Sequence, residues 1–277
     1  MEKSEIKIEN VSYSTDKKKI LNRINLSIKN GELLGIIGPN GAGKTTLLKI
    51  ICGILNPSSG VIGLEDKNIN NFKPKELYKK ISYLPQKINF NFPFRVSEIV
   101  LMGRYPYFDR LKNEGPEDYK IAKDSLSKVD MLEFFDRNIL TLSGGEQQRA
   151  TIARVVAQDA DFLFLDEPLS NMDINHQLSV MNLLRYLSSS GKGVSVVLHD
   201  LRLAYRYCSK VLVLNNGEVA AHGSPAVVLN EELISTVFKV RAAIVKDFAQ
   251  NNSIDFIEPL TVLKDQNFTV FTVKTAE

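Results

Sequence analysis

The sequence predicts an α/β fold: a mainly parallel sheet core with N-terminal antiparallel strands and an inserted α-helical subdomain. Three observations predict it. Short apolar runs alternate with helical patterns, the rhythm of parallel strands joined by crossovers. A glycine-rich loop stands between an apolar run and an amphipathic segment. From about residue 88 to 158 the strand runs stop and helical periodicity takes over.

Ile6, Ile8 and Val11 mark a first strand, and Ile24, Leu26 and Ile28 alternate with polar residues at period two. Asn30-Gly31 makes a turn, and residues 33–37 are then apolar on both faces, as a fully buried strand is. Leu47, Leu48, Ile50, Ile51 and Ile54 recur at helical spacing until Gly53 and Pro57 close the segment. Residues 81–84 form a short strand ending at Pro85-Gln86. Helices are predicted over 96–102, 117–129, 131–135 and 143–157. Strands return at 162–165, 194–198 and 211–214, each pair separated by a helical pattern. The tail from about Val240 has weaker strand signals, at 254–257 and 268–273. The main unit is therefore taken as residues 1–238, with the helical subdomain at about 88–158, and 239–277 as a C-terminal extension.

A chain of 277 residues that is 44% apolar can fill a sizeable core. Its formal net charge of +3 is too small to point to nucleic acid. The one basic run, Lys17-Lys18-Lys19, reads as a solvated turn between strands. Cys52 and Cys208 stand alone, in neither C-x-x-C nor framework spacing, which predicts two buried thiols in a reduced compartment. No apolar run approaches the roughly 18–20 residues that span a bilayer, and Met-Glu-Lys-Ser-Glu at the start lacks a signal-peptide core. Any membrane process is then served from the cytoplasmic side through separate subunits.

The chemistry concentrates at strand ends. Gly38-Pro39-Asn40-Gly41-Ala42-Gly43-Lys44-Thr45, with Thr46 next, matches G-x-x-x-x-G-K-[ST] between a buried strand and a helix, the context this motif requires. Glycines let backbone N–H groups converge on phosphate oxygens, and the following helix presents its positive end. Lys44 would reach the β- and γ-phosphates, and the Thr45 hydroxyl would hold Mg²⁺. Asp166 ends an apolar strand as a direct or indirect Mg²⁺ partner, and Glu167 beside it can orient or deprotonate an attacking water. His199 follows another buried strand, where such sheets bind ligands, and a neutral imidazole there can donate to a γ-phosphate. Gln86 also ends a strand, where its amide can contact Mg²⁺ or the water. His176 and His222 read as structural or surface residues. Ser143-Gly144-Gly145-Glu146 is a capping box, yet two consecutive glycines cost helix stability, roughly 1 kcal/mol each. Exposed N–H groups at a helix start, a second anion site, supply a reason.

Taken in order with its neighbours, Leu142-Ser143-Gly144-Gly145-Glu146-Gln147-Gln148-Arg149 resembles the signature of ABC ATPases. The resemblance covers roughly residues 5–238. It implies the P-loop NTPase fold in its ABC ATPase form, ATP and Mg²⁺ as ligands, and a head-to-tail homodimer. In such a pair Ser143, Gly144 and Gly145 close on the γ-phosphate held by the partner's phosphate loop, and Asp173, in Ser170-Asn171-Met172-Asp173, resembles the D-loop crossing the interface. Glu146 stands where glutamine is commonest and Met172 where leucine is usual. The usual position of the adenine-stacking aromatic is Thr15 here; Tyr13, two residues earlier on the same face of an extended strand, is the candidate substitute, the alternative being weak base stacking.

Phe92-Pro93-Phe94, followed by residues 96–107 with Gly103-Arg104-Tyr105-Pro106-Tyr107, resembles importers of ferric siderophores, haem and cobalamin. So does Gly217-Glu218-Val219-Ala220-Ala221-His222-Gly223-Ser224-Pro225. That likeness implies an ATPase subunit at the cytoplasmic face of the membrane. It would be docked near Gln86 to integral permease subunits and served by an extracytoplasmic substrate-binding protein, with no nucleic acid. The rival reading is a soluble ABC ATPase such as an iron–sulfur assembly partner.

Overall fold

The computed structural model describes residues 4–16, 18–108, 114–247 and 254–262. In chain order the principal elements are β1 (Glu5–Thr15), β2 (Lys18–Lys29), β3 (Leu33–Ile37), α1 (Lys44–Ile51), β4 (Ser59–Leu64), β5 (Lys67–Asn68), α2 (Pro74–Lys80) and β6 (Ile81–Leu84). The helices α3 (Val96–Leu101), α4 (Pro116–Ser127) and α5 (Gly144–Ala157) follow. The chain then returns to the sheet with β7 (Phe162–Leu165), α6 (Ile174–Ser189), β8 (Gly193–Val197), α7 (Leu201–Tyr207), β9 (Lys210–Asn215) and β10 (Glu218–Gly223). A hairpin of β11 (Val240–Asp247) and β12 (Ile254–Val262) follows, with β12 beside α7.

The strands form a six-stranded sheet in the order β10-β9-β3-β8-β7-β6 and a four-stranded one in the order β2-β1-β4-β5. In the larger sheet β9, β3, β8, β7 and β6 run parallel, and β10 joins antiparallel at the edge. The smaller sheet is antiparallel throughout. Alternation along the parallel strands feeds two separate cores. Leu34, Ile36, Phe162, Phe164, Leu212 and Leu214 point to one face, where α1 is packed between the two sheets. Leu33, Ile37, Leu163, Leu165, Val194 and Val196 point to the other, against α3 to α7. Each such side chain contributes about 1.5–3 kcal/mol on burial, so the doubly apolar strands have no face they can leave to solvent.

The expected parallel sheet, antiparallel N-terminal strands and helices between β6 and β7 are all present. The helix expected over 131–135 is only a 3₁₀ turn at Leu132–Phe134. Asp130 enters it in the left-handed region, at φ 55°, and so short a segment cannot repay helix nucleation. Strands β4 and β5 and helix α2 were not read from the sequence. Strand signals at 254–257 fall within β12; those at 268–273 lie outside the described residues. Both cysteines are buried free thiols. Among the described residues no helix is long and apolar enough to cross a membrane.

Candidate active site

Strand β3 delivers the glycine-rich loop to the C-terminal edge of the sheet, where α/β folds bind ligands. Gly38 takes φ 149°, and a Cβ there would sit 2.1 Å from the Leu214 carbonyl oxygen. The turn out of β3 therefore needs glycine because β9 passes so close. Lys44, the first residue of α1, is buried and bends back over its own loop, donating to the carbonyls of Gly38 at 2.7 Å and Pro39 at 3.0 Å. Burial lowers its pKa, while Glu167 and Asp166 counteract that shift.

A cleft of about 460 Å³ opens beside the loop, lined by residues 40–46 together with Gln86 and Glu167. Asp166 lies beneath it, fully buried at the end of β7, its N–H donating to the Leu84 carbonyl at 2.9 Å. Burial raises the pKa of its carboxyl, with the Thr45 hydroxyl the largest opposing influence. Neither carboxylate oxygen has a hydrogen-bond partner in full geometry. Buried acceptors left open in this way, with a threonine hydroxyl and a glutamine amide close by, are the oxygen donors a hard divalent cation prefers. The residues fit Mg²⁺. Glu167 differs sharply from its neighbour: φ 51° places it in the left-handed region, a strain of about 1–3 kcal/mol, and its carboxylate faces the cleft. His199, after β8, meets it there, Nε2 to Oε1 at 2.8 Å.

The signature starts α5. The Ser143 hydroxyl accepts from the Glu146 N–H at 3.3 Å, and the Ser143 N–H donates to Glu146 Oε2 at 2.7 Å, a reciprocal cap. The paired glycines have different grounds. A Cβ on Gly145 would stand 2.8 Å from the Asn171 carbonyl oxygen, whereas one on Gly144 would meet nothing closer than the Asn171 side chain at 3.7 Å. Gly145 is thus required by packing within this chain, while at Gly144 the fold leaves room. Asp173 caps α6, accepting from the His176 N–H at 3.0 Å, and Asn171 two residues before it lies against Gly144 and Gly145. Ser143, Gly144, Gly145 and Asp173 are not among the described residues lining the cleft.

The start of the chain borders the cleft. Tyr13 pairs with Leu21 across β1 and β2, close to the cleft-lining Ile20, and packs partly on the core between the sheets. Ile20, at the start of β2, lines the cleft. The basic run is not simply a solvated turn: Lys18 and Lys19 open β2 and line the cleft beside the phosphate loop, and Lys17 lies outside the described residues. Asn216, in the turn between β9 and β10, lines it too. No local pattern marks these four residues, because only the packing of β2 and β9 around the loop brings them there.

The Gly103-Arg104 turn is internal scaffolding. A Cβ on Gly103 would lie 2.3 Å from the Arg154 carbonyl oxygen, and buried Arg104 bonds Asp118 at 3.0 Å and the Ala157 carbonyl at 2.9 Å. What this turn presents outward is aromatic. Tyr105 of this turn is 61% exposed, and Phe92, ahead of α3, is 66% exposed.

The profile of the ABC transporter family matches residues 21–170. A hemin import ATP-binding protein of Rhodopseudomonas palustris is 40% identical over 243 residues, 85% of this chain and 90% of its own length. Among solved structures, a metal-chelate type ABC transporter in an inward-facing conformation superposes with TM-score 0.81 at 26% identity, covering 93% of this chain and 98% of that one. A dimeric bacterial ABC transporter cassette gives TM-score 0.71 at 30% identity, covering 79% and 98%. This chain therefore belongs to the ABC transporter family, as one of its ATP-hydrolysing subunits.

Proposed function

We propose that this chain powers import of a metal chelate (a ferric siderophore, haem or cobalamin) through partner permease subunits, by ATP-driven head-to-tail pairing of two copies. One observation carries the pairing. The second anion-binding helix start, with Ser143 and Gly144 exposed, is not part of the cleft that holds Lys44 in the same chain. A second copy is the natural source of the missing half. In this reading residues 1–238 are the ATPase unit and 239–277 an extension.

The residues divide the work. The loop N–H groups of residues 38–46 cradle the phosphates, and Lys44 exchanges its two carbonyl partners for β- and γ-phosphate oxygens. Thr45, Asp166 and Gln86 would hold Mg²⁺, which when bound would supply charge neutralisation for the phosphates. Glu167, turned toward the cleft by its left-handed backbone, orients and deprotonates water. His199 stands 2.8 Å from it and swings its donor to the γ-phosphate. Ser143, Gly144, Gly145 and Asp173 act on the partner's nucleotide. Catalysis is then mostly positioning and charge stabilisation. At the base, Ile20 gives an aliphatic contact and Lys18 and Lys19 a cationic border.

The relatives named for hemin import and metal chelates support the cargo class. Exposed Phe92, Phe94, Met102 and Tyr105 follow Gln86 in the chain, an aromatic surface suited to a permease's helix. The subunit then works peripherally at the cytoplasmic face of the membrane, with an extracytoplasmic binding protein delivering cargo. Glu167→Gln tests the core of the proposal. It should bind ATP normally, lower turnover by about 10²–10⁴-fold, as loss of a general base does, and accumulate as an ATP-loaded dimer. A variant that stays monomeric with ATP, even beside its membrane partners, refutes the pairing. Stimulation of the reconstituted complex by one chelate and not the others identifies the cargo.

A further inference from the structure

Beneath the phosphate loop two buried polar groups lack partners, and they are complementary. One is the Asp166 carboxylate; the other is the Tyr83 hydroxyl on β6. Strands β6 and β7 are parallel neighbours, with Tyr83 opposite Phe164. Side chains alternate along a strand, so Asp166, two residues beyond Phe164, lies on the same face as Tyr83. Tyr83 and Phe164 join the same core cluster, between the two sheets. A phenol is a donor and an ionised carboxylate only an acceptor. Buried groups of this kind are almost always satisfied, and an open pair on facing strands asks for a function.

We infer that Tyr83 is a positioning residue for the metal-binding carboxylate: its O–H engages one oxygen of Asp166 and leaves the other directed to the cation beside Thr45. The inference rests on the reading of Asp166 as a Mg²⁺ partner. The sequence offers no hint of the role, since Tyr83 reads there as one residue of a short strand.

Tyr83→Phe removes the donor and keeps the ring. In the purified full-length protein, ATP binding in EDTA should match the parent, and thermal stability should fall by no more than the loss of one hydrogen bond explains. The Mg²⁺ concentration giving half-maximal ATPase should rise about tenfold or more, the scale on which groups behind a metal ligand act. Mn²⁺ affinity of the ATP-bound protein, read by electron paramagnetic resonance, should weaken in parallel without any turnover. Tyr83→Gln restores a donor at poor shape, so it should recover metal affinity relative to Phe while losing stability. A packing role predicts the reverse order, with Phe better than Gln in both respects. Asp166→Asn separates the two layers of the reading. If it abolishes metal dependence while Tyr83→Phe leaves the Mg²⁺ and Mn²⁺ titrations within twofold of the parent, Tyr83 has no positioning role and Asp166 keeps its own. If Asp166→Asn changes neither titration, both readings fall.

Discussion

The two signature glycines allow a clean separation of folding from function. Consider Gly144→Ala. The new Cβ would meet only the Asn171 side chain, at 3.7 Å, an ordinary contact. Alanine is favoured over glycine in helices by up to about 1 kcal/mol, and Gly144 begins α5, so stability should hold or rise slightly. Gly145→Ala differs, because its Cβ would lie 2.8 Å from the backbone oxygen of Asn171. Overpacking of this kind costs about 1–3 kcal/mol, partly offset by helix propensity, and a melting point drop of roughly 2–8 °C follows. In the proposed pair Gly144 faces the partner's γ-phosphate, and a methyl group would hold the two copies apart. A displacement of about 1 Å in a reacting site can lower the rate by about 10²-fold. Gly144→Ala should therefore melt like the parent, bind ATP like the parent and turn over about 10²-fold more slowly. In the Glu167→Gln background it should not dimerise with ATP, by light scattering. Parental turnover from Gly144→Ala would show that no phosphate approaches this helix start, and the two-copy site would be wrong.

Two further outcomes follow from charges. Hydrogen bonds from the Ser143 N–H and hydroxyl hold Glu146 below the usual carboxylate range. Its contribution to stability is present above the unfolded-state pKa and is lost as pH falls through the lower folded value. Glu146→Gln keeps the reciprocal cap but does not titrate, so its acid unfolding should be less steep from about pH 4.5 downward; parallel pH–stability curves would contradict this. Lys19→Ala should weaken ATP binding about two- to fivefold at low ionic strength, the effect fading in high salt as expected for an exposed charge. Equal dissociation constants at low salt would return the lysine to the role of a solvated turn.

Much of the architecture was legible because it is local. Residues 33–37 are apolar on both faces, so they had to become a central strand, and the loop after them carries its phosphate chemistry in eight consecutive residues. The Ser143 and Glu146 cap was equally readable, since both partners lie within one helical turn. Strand β4 was not legible because Ser59–Leu64 begins with serine and glycine and owes its strand conformation to pairing with β1, and β5 at the sheet edge is only two residues long.

The sequence by itself determined which residues carry the proposed chemistry: a glycine-rich loop before a helix, two adjacent acids at a strand end, and a second glycine-paired helix start. Tertiary structure alone decided which groups meet. It placed Lys19 and Ile20 on the cleft, set Asn171 against Gly145, and brought the Tyr83 and Asp166 strands side by side. The physical reason is range. Backbone preferences and motif spacing act over a few residues, whereas contacts between distant segments depend on strand order and register, which the packing of both faces of the sheet selects.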